Sequence, residues 1–132
     1  MIFVDTSFWV ALRNRRDAHH PFAVNLFQTY ADRGWVTSNQ VVGETWTYLR
    51  KKAGHAAAVT FLDAMERSPR VGLLLVERPL EEEALKWLRR HDERVYSFVD
   101  ATSFALMRSH RMLEALAFDG DFDAAGFVEL RS

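Results

Sequence analysis

At 132 residues, with 48% apolar and 27% charged side chains, the chain has the size and balance of one soluble globular domain able to bury a sizeable core. A net charge of −1 argues against a protein held to nucleic acid by bulk basicity, and no stretch of about 18 apolar residues suggests a transmembrane helix. The absence of cysteine rules out disulfides, thiolate catalysis and cysteine-held metal and fits a cytoplasmic protein; no basic run before an apolar one marks a secretory signal.

The chain opens with Ile2-Phe3-Val4, three apolar residues running straight into Asp5-Thr6-Ser7 and then a helix-compatible segment. That pattern predicts a buried parallel strand feeding a helix, with Asp5 at the strand's carboxyl end, where open α/β sheets place their ligands. Asp5 or Thr6 is equally suited to cap the helix, which the pattern predicts to run to about Asn14. His19-His20 read as a solvated loop, since adjacent residues rarely face one ion, and Pro21 suits the first turn of a second helix that ends near Gly34. Trp35-Val36-Thr37 predicts a short strand, and Ser38 or Asn39 caps a helix marked by Val41, Val42, Thr45, Tyr48 and Leu49. After Gly54 comes a helix over 55–67. Val71 to Val76, the clearest continuous apolar run, predicts the central strand. Pro79 opens an amphipathic helix, Val95-Tyr96 suggests a brief extended piece, and a helix follows from Phe98-Val99-Asp100. Leu113 to Phe118 and Phe127 to Leu130 predict two more strands. Strands and helices alternate throughout, which predicts an α/β sandwich around a parallel sheet in a single domain over 1–132.

Two predicted strands end in acid, Asp5 and Asp119, and a parallel sheet would bring both to the same edge. Asp100 starts a helix whose N-terminus can face that edge. Glu44 lies among core-like residues with no basic partner three or four positions away, so it is either an exposed helix glutamate or an acid kept for a purpose. Were Asp5, Glu44, Asp100 and Asp119 to converge, they could not all ionise in a dry pocket without a counter-charge. A divalent cation that prefers oxygen resolves the conflict and can activate a water against phosphorus. With no cysteine and no evident Ser–His pair, this constellation favours phosphodiester hydrolysis over acyl transfer. There is no Walker-type phosphate loop or dinucleotide fingerprint, Ser7 breaks the paired-aspartate pattern of haloacid-dehalogenase phosphatases, and the Val71–Val76 run lacks the terminal aspartate of a receiver domain.

Phe3-Val4-Asp5-Thr6-Ser7, the helical Glu44, Phe98-Val99-Asp100-Ala101-Thr102-Ser103 and Phe118-Asp119-Gly120-Asp121 resemble the successive motifs of the PIN-domain family, over nearly the whole chain. The compact length is similar to that of VapC-like ribonuclease toxins of toxin–antitoxin pairs. The resemblance implies a three-layer α/β/α sandwich with a central five-stranded parallel sheet and an endoribonuclease dependent on Mg²⁺ or Mn²⁺. It implies Asp5 and Asp100 as metal ligands, with Glu44 and Asp119 completing a catalytic acidic pocket. Thr6 and Ser103 would be supporting hydroxyls and Asp121 an auxiliary acid. Ala117 stands where the family often carries threonine. RNA as substrate, a small cognate antitoxin and a homodimer follow from the same resemblance. The alternatives are a housekeeping PIN nuclease in RNA processing and an inactive PIN-fold module that binds RNA or protein. Arg13, Arg15 and Arg16, and Arg50-Lys51-Lys52, either steer RNA or form solvated faces, and Phe22, Phe27, Tyr30, Trp46, Tyr48 and Phe61 serve either the core or an interface.

Overall fold

The computed structural model describes residues 1–131. Five strands, β1 (Ile2–Val4), β2 (Trp35–Ser38), β3 (Val71–Leu74), β4 (Glu114–Leu116) and β5 (Val128–Glu129), form one sheet in the order β3-β2-β1-β4-β5. Every neighbouring pair is parallel. The chain runs outward from β1 through α1 (Thr6–Arg13) and α2 (His20–Thr29) to β2, then through α3 (Asn39–Lys52) and α4 (His55–Arg67) to β3. It then returns through α5 (Arg78–Arg90) and α6 (Phe98–Ser109) to β4 and, past the short α7 (Asp121–Ala124), to β5. Parallel crossovers are right-handed almost without exception, so reversing the direction of travel moves the helices to the other face. The result is the expected three-layer α/β/α sandwich.

The direction reverses between β1 and β4, which makes the crevice beyond their carboxyl ends the topological switch point. The Asp5 N–H donates to the Leu116 carbonyl at 3.0 Å, tying the two strand ends together there. With a layer on each face, β1 is buried at every residue, and it packs with Phe8, Phe61, Phe104, Leu106, Leu116 and Phe122 in the core.

The expectation for Val71–Val76 needs correction. The central strand is β1, and β3 lies at the edge of the sheet. Leu73 is 55% exposed, because an edge strand has a neighbour on one side only and incomplete cover, and Leu75, just past the strand, is 57% exposed. Strand pairing ends at Leu74, and Val76 turns inward with its N–H donating to Asn39 Oδ1 at 2.8 Å. Val95-Tyr96 belongs to no strand, and Val95 is wholly exposed in the loop between α5 and α6.

Candidate active site

Asp5, Glu44, Asp100, Asp119 and Asp121 all line one cleft of about 390 Å³ at the switch point, together with Thr6, Ser7, Asp17, His19, Ser97 and Phe118. Six of its lining residues are acids and none is lysine or arginine. One carboxylate oxygen each from Asp100, Asp119 and Asp121 lie within 4.8 Å of one another, the one such group of metal-ligating side chains found among the described residues. The auxiliary acid of the sequence reading, Asp121, thus joins the tight cluster, while Asp5, just before α1, and Glu44, on α3, line the same cleft.

Three of the acids share one local construction. Asp5 is the N-cap of α1: its Oδ2 accepts from the Ser7 N–H at 3.1 Å and the Ser7 hydroxyl at 2.8 Å. Asp100 stands in a capping box at the start of α6, where its Oδ2 accepts from the Ser97 N–H at 3.0 Å and its own N–H donates to Ser97 Oγ at 2.9 Å. Asp119 Oδ1 accepts from the Asp121 N–H at 3.2 Å. Each carboxylate therefore spends one oxygen on backbone geometry, which fixes where the other oxygen points. For Asp5 that other oxygen, Oδ1, is buried and has no hydrogen-bond partner among the described residues. An orphaned buried carboxylate oxygen is costly unless something positive meets it. The cap and catalyst readings of Asp5 are therefore compatible.

Burial raises all four carboxyls. Asp5 is pushed up to about 8, first by desolvation and then by the Asp119 charge, against the lowering effect of its Ser7 bonds. Asp100 rises to about 6, chiefly through burial, with the Ser97 bonds opposing it. Asp119 also rises to about 6 through burial, with the Asp121 N–H opposing and the Asp121 and Asp100 charges adding. Half-buried Glu44 is raised by desolvation and lowered by the nearby Thr6 hydroxyl, although that hydroxyl completes no hydrogen bond of regular geometry. Mutual repulsion without cationic relief inside the cleft is the pattern a bound divalent cation would relieve.

The loop carrying Asp119 is held from below by residues that sequence reasoning missed. The Glu129 side chain is fully buried; its Oε2 accepts from the N–H groups of Phe122 (3.1 Å) and Asp123 (3.2 Å). Its Oε1 accepts from the Gly120 N–H at 3.3 Å and pairs with Arg131 at 2.9 Å. Gly120 sits at φ +81°, a left-handed conformation in which a side chain would be strained, and so reverses the chain between Asp119 and Asp121. Arg94, outside the cleft, pairs with Asp121 at 2.8 Å and donates to the Asp119 carbonyl at 3.2 Å.

Of the expected supporting hydroxyls, Thr6 lines the cleft, but the buried Ser103 hydroxyl donates back to the Val99 carbonyl at 2.9 Å and does not reach it. Ser7 takes the bridging position: while donating to Asp5 it also accepts from the Phe118 N–H at 3.0 Å, linking the β1 and β4 ends. A hydroxyl two residues after the first acid was the signal for Ser7, and a serine three residues before an aspartate was the signal for Ser97. Arg13 is half-buried in a separate apolar hollow with Trp9, Leu12 and Trp35, so it is not free to steer phosphates. His20 anchors to the Ala11 carbonyl at 2.8 Å, whereas His19 lines the cleft and stacks on Phe118 with ring centroids 4.7 Å apart.

The PIN domain family model matches residues 2–128. The 23S rRNA-specific endonuclease VapC20 of Mycobacterium tuberculosis is 56% identical over 131 residues, spanning 99% of this chain and 98% of that protein. The crystal structure of M. tuberculosis VapC20, described as a sarcin-ricin loop cleaving toxin, aligns over 100% of both chains at 54% identity with a TM-score of 0.92. FitAcB from Neisseria gonorrhoeae, at 15% identity, shares the fold over 99% of this chain and 97% of that one with a TM-score of 0.70. A parallel sheet of this strand order, acids at its switch point and a family match spanning nearly every residue lead to one conclusion: the chain belongs to the PIN-domain family.

Proposed function

We propose that the chain is a metal-dependent endoribonuclease, the toxin of a toxin–antitoxin pair, and that it cuts the sarcin–ricin loop of 23S rRNA. The observation that carries this reading is the convergence of six acids in a cleft whose lining holds no lysine or arginine, Arg94 meeting only the Asp121 carboxylate and from outside, in a protein 56% identical to a 23S rRNA-specific endonuclease whose structure is described as a sarcin-ricin loop cleaving toxin. The donor set fits Mg²⁺ or Mn²⁺: all-oxygen, several carboxylates, and a buried Asp5 oxygen lacking a partner. Asp5, Asp100 and Asp119 would hold the ion, with Asp121 beside them. When bound, the ion supplies charge neutralisation at phosphorus and an activated water.

The chain's own residues orient and order this chemistry. Ser7, Ser97 and the Asp121 N–H fix the carboxylates, and Glu129 with Gly120 fixes the loop that presents two of them. Glu44, whose proton affinity is raised by burial, is suited to take up the proton that the attacking water loses. In the overall reaction water adds to phosphorus and one bridging P–O bond breaks. The departing oxygen leaves as a hydroxyl, so one product end keeps the phosphate. Within the same reading, the partners are a small cognate antitoxin and a second copy of the chain, and the site of action is the cytoplasm.

Mapping RNA 5′ ends after incubation with ribosomes tests the proposal. A single Mn²⁺-dependent cut in the sarcin–ricin loop, abolished by EDTA, is expected. Scattered cutting of many RNAs would favour a processing nuclease, and no cutting by the folded, partner-free chain would favour the binding module.

A further inference from the structure

Beside the acid cleft lies a second hollow of about 350 Å³, lined by His19, Phe22, Leu26, Phe118 and Arg131, and His19 and Phe118 wall both spaces. We propose that this hollow is a nucleobase subsite, which receives the base of a nucleotide flanking the cut phosphodiester after it leaves the RNA stack. The proposal rests on the ribonuclease reading of the acid cleft and deepens it.

Its wall is a column of rings growing out of the core. Phe8 stacks on Phe118 at 5.9 Å and 22°, and Phe118 stacks on His19 at 4.7 Å and 11°. Phe22 leans against His19 at 6.4 Å. Phe8 is fully buried, but the His19 side chain is 51% exposed and Phe22 is 58% exposed. A stack that starts in the core and ends in solvent, one residue before Asp119, presents an aromatic face beside the acid cleft. Opposite chemistry closes the hollow. Arg131 donates to the Ala117 and Leu130 carbonyls at 3.2 and 2.9 Å and pairs with Glu129, while its side chain stays 54% exposed. Its donors are largely spent on the protein, so what it offers is a fixed, flat guanidinium plane, which suits stacking on a base better than gripping a phosphate. No carboxylate lines this hollow, in contrast to the cleft beside it. Proteins that read unpaired RNA take splayed-out bases onto aromatic rings and arginine planes. The shared wall places such a base directly next to a phosphodiester lying at the acids.

The test separates base from backbone. A fluorescein-labelled sarcin–ricin-loop hairpin is titrated with the Asp100→Asn chain, which binds without turnover, and again with hairpins made abasic one at a time at nucleotides flanking the cut. Phe22→Ala, at an exposed position, is expected to leave the melting temperature unchanged and to weaken binding of the intact hairpin about 5- to 100-fold, as loss of one stacked base does. Against the hairpin abasic at the subsite position, Phe22→Ala is expected to change binding less than twofold. Equal binding with and without the Phe22 ring overturns the subsite, as does an equal loss on every hairpin. An effect of Phe22→Ala confined to a partner protein would also overturn it, reassigning the hollow to protein docking. If the native chain with Mn²⁺ cuts no RNA, the ribonuclease reading fails and takes the subsite with it. If it cuts but is indifferent to Phe22, only the subsite fails.

Discussion

Asp5 is the side chain at which the fold and the proposed chemistry meet. Its Oδ2 starts α1, and its Oδ1 is buried without a partner. At pH 8 the metal-free carboxyl is close to its own pKa, so ionising it in place costs free energy that an amide would not. Asp5→Asn should therefore raise the melting temperature of the metal-free chain at pH 8, followed by scanning fluorimetry, while lowering RNA cleavage at least about 100-fold. A variant that melts lower and still cuts would show that Asp5 is only a cap. Glu129 makes the complementary case, a residue outside the cleft that sets its geometry. Glu129→Gln keeps the shape but turns an amide toward backbone N–H donors, and Mn²⁺ affinity measured by calorimetry should fall about 10- to 100-fold.

At the level of elements, helix starts do most of the positioning. The α6 capping box fixes Asp100, and removing its hydroxyl in Ser97→Ala should cost about 1 kcal/mol in urea unfolding and loosen Asp100 enough to lower cleavage in parallel. What could be read from the sequence follows the same division. Asp5 and Asp119 were legible because an apolar strand running into an acid announces a strand end, and Glu44 because an acid among core residues is out of place. Glu129 was not legible: its value lies in three backbone N–H groups turned toward it by the Gly120 reversal, and no side-chain pattern encodes that orientation. Val71 to Val76 misled for a different reason. An apolar run reports a strand but not its neighbours, so the edge position of β3, with Leu73 and Leu75 exposed, depended on the order of the whole sheet. Ser103 stands three residues after its acid, yet its hydroxyl turns back one helical turn to the Val99 carbonyl instead.

For the molecule as a whole, the strand order concentrates like charge at one place, and stability must register it. The native carboxyls of Asp5, Asp100 and Asp119 titrate near 8, 6 and 6, above the ordinary value of 3.8. The folded state therefore holds protons that the unfolded chain has already released, so the contribution of these three groups to stability is fully present below about pH 4 and is lost as pH rises through 6 and then 8. For these groups the EDTA-treated chain should melt at progressively lower temperature from pH 5 to pH 8.5, and Mn²⁺ should reverse most of that loss. A melting temperature that rises over this range, or ignores Mn²⁺, would mean the acids are better screened than their burial implies.

Whether the acid cleft is a metal centre is decided by Mn²⁺ binding to the native chain and to Asp100→Asn at pH 7, followed by electron paramagnetic resonance of the free ion. The native chain should remove Mn²⁺ from solution, and Asp100→Asn, though folded, should bind it at least about tenfold more weakly. Equal uptake by the two proteins, or none by the native chain, would contradict the claim that this acid cleft is a metal centre.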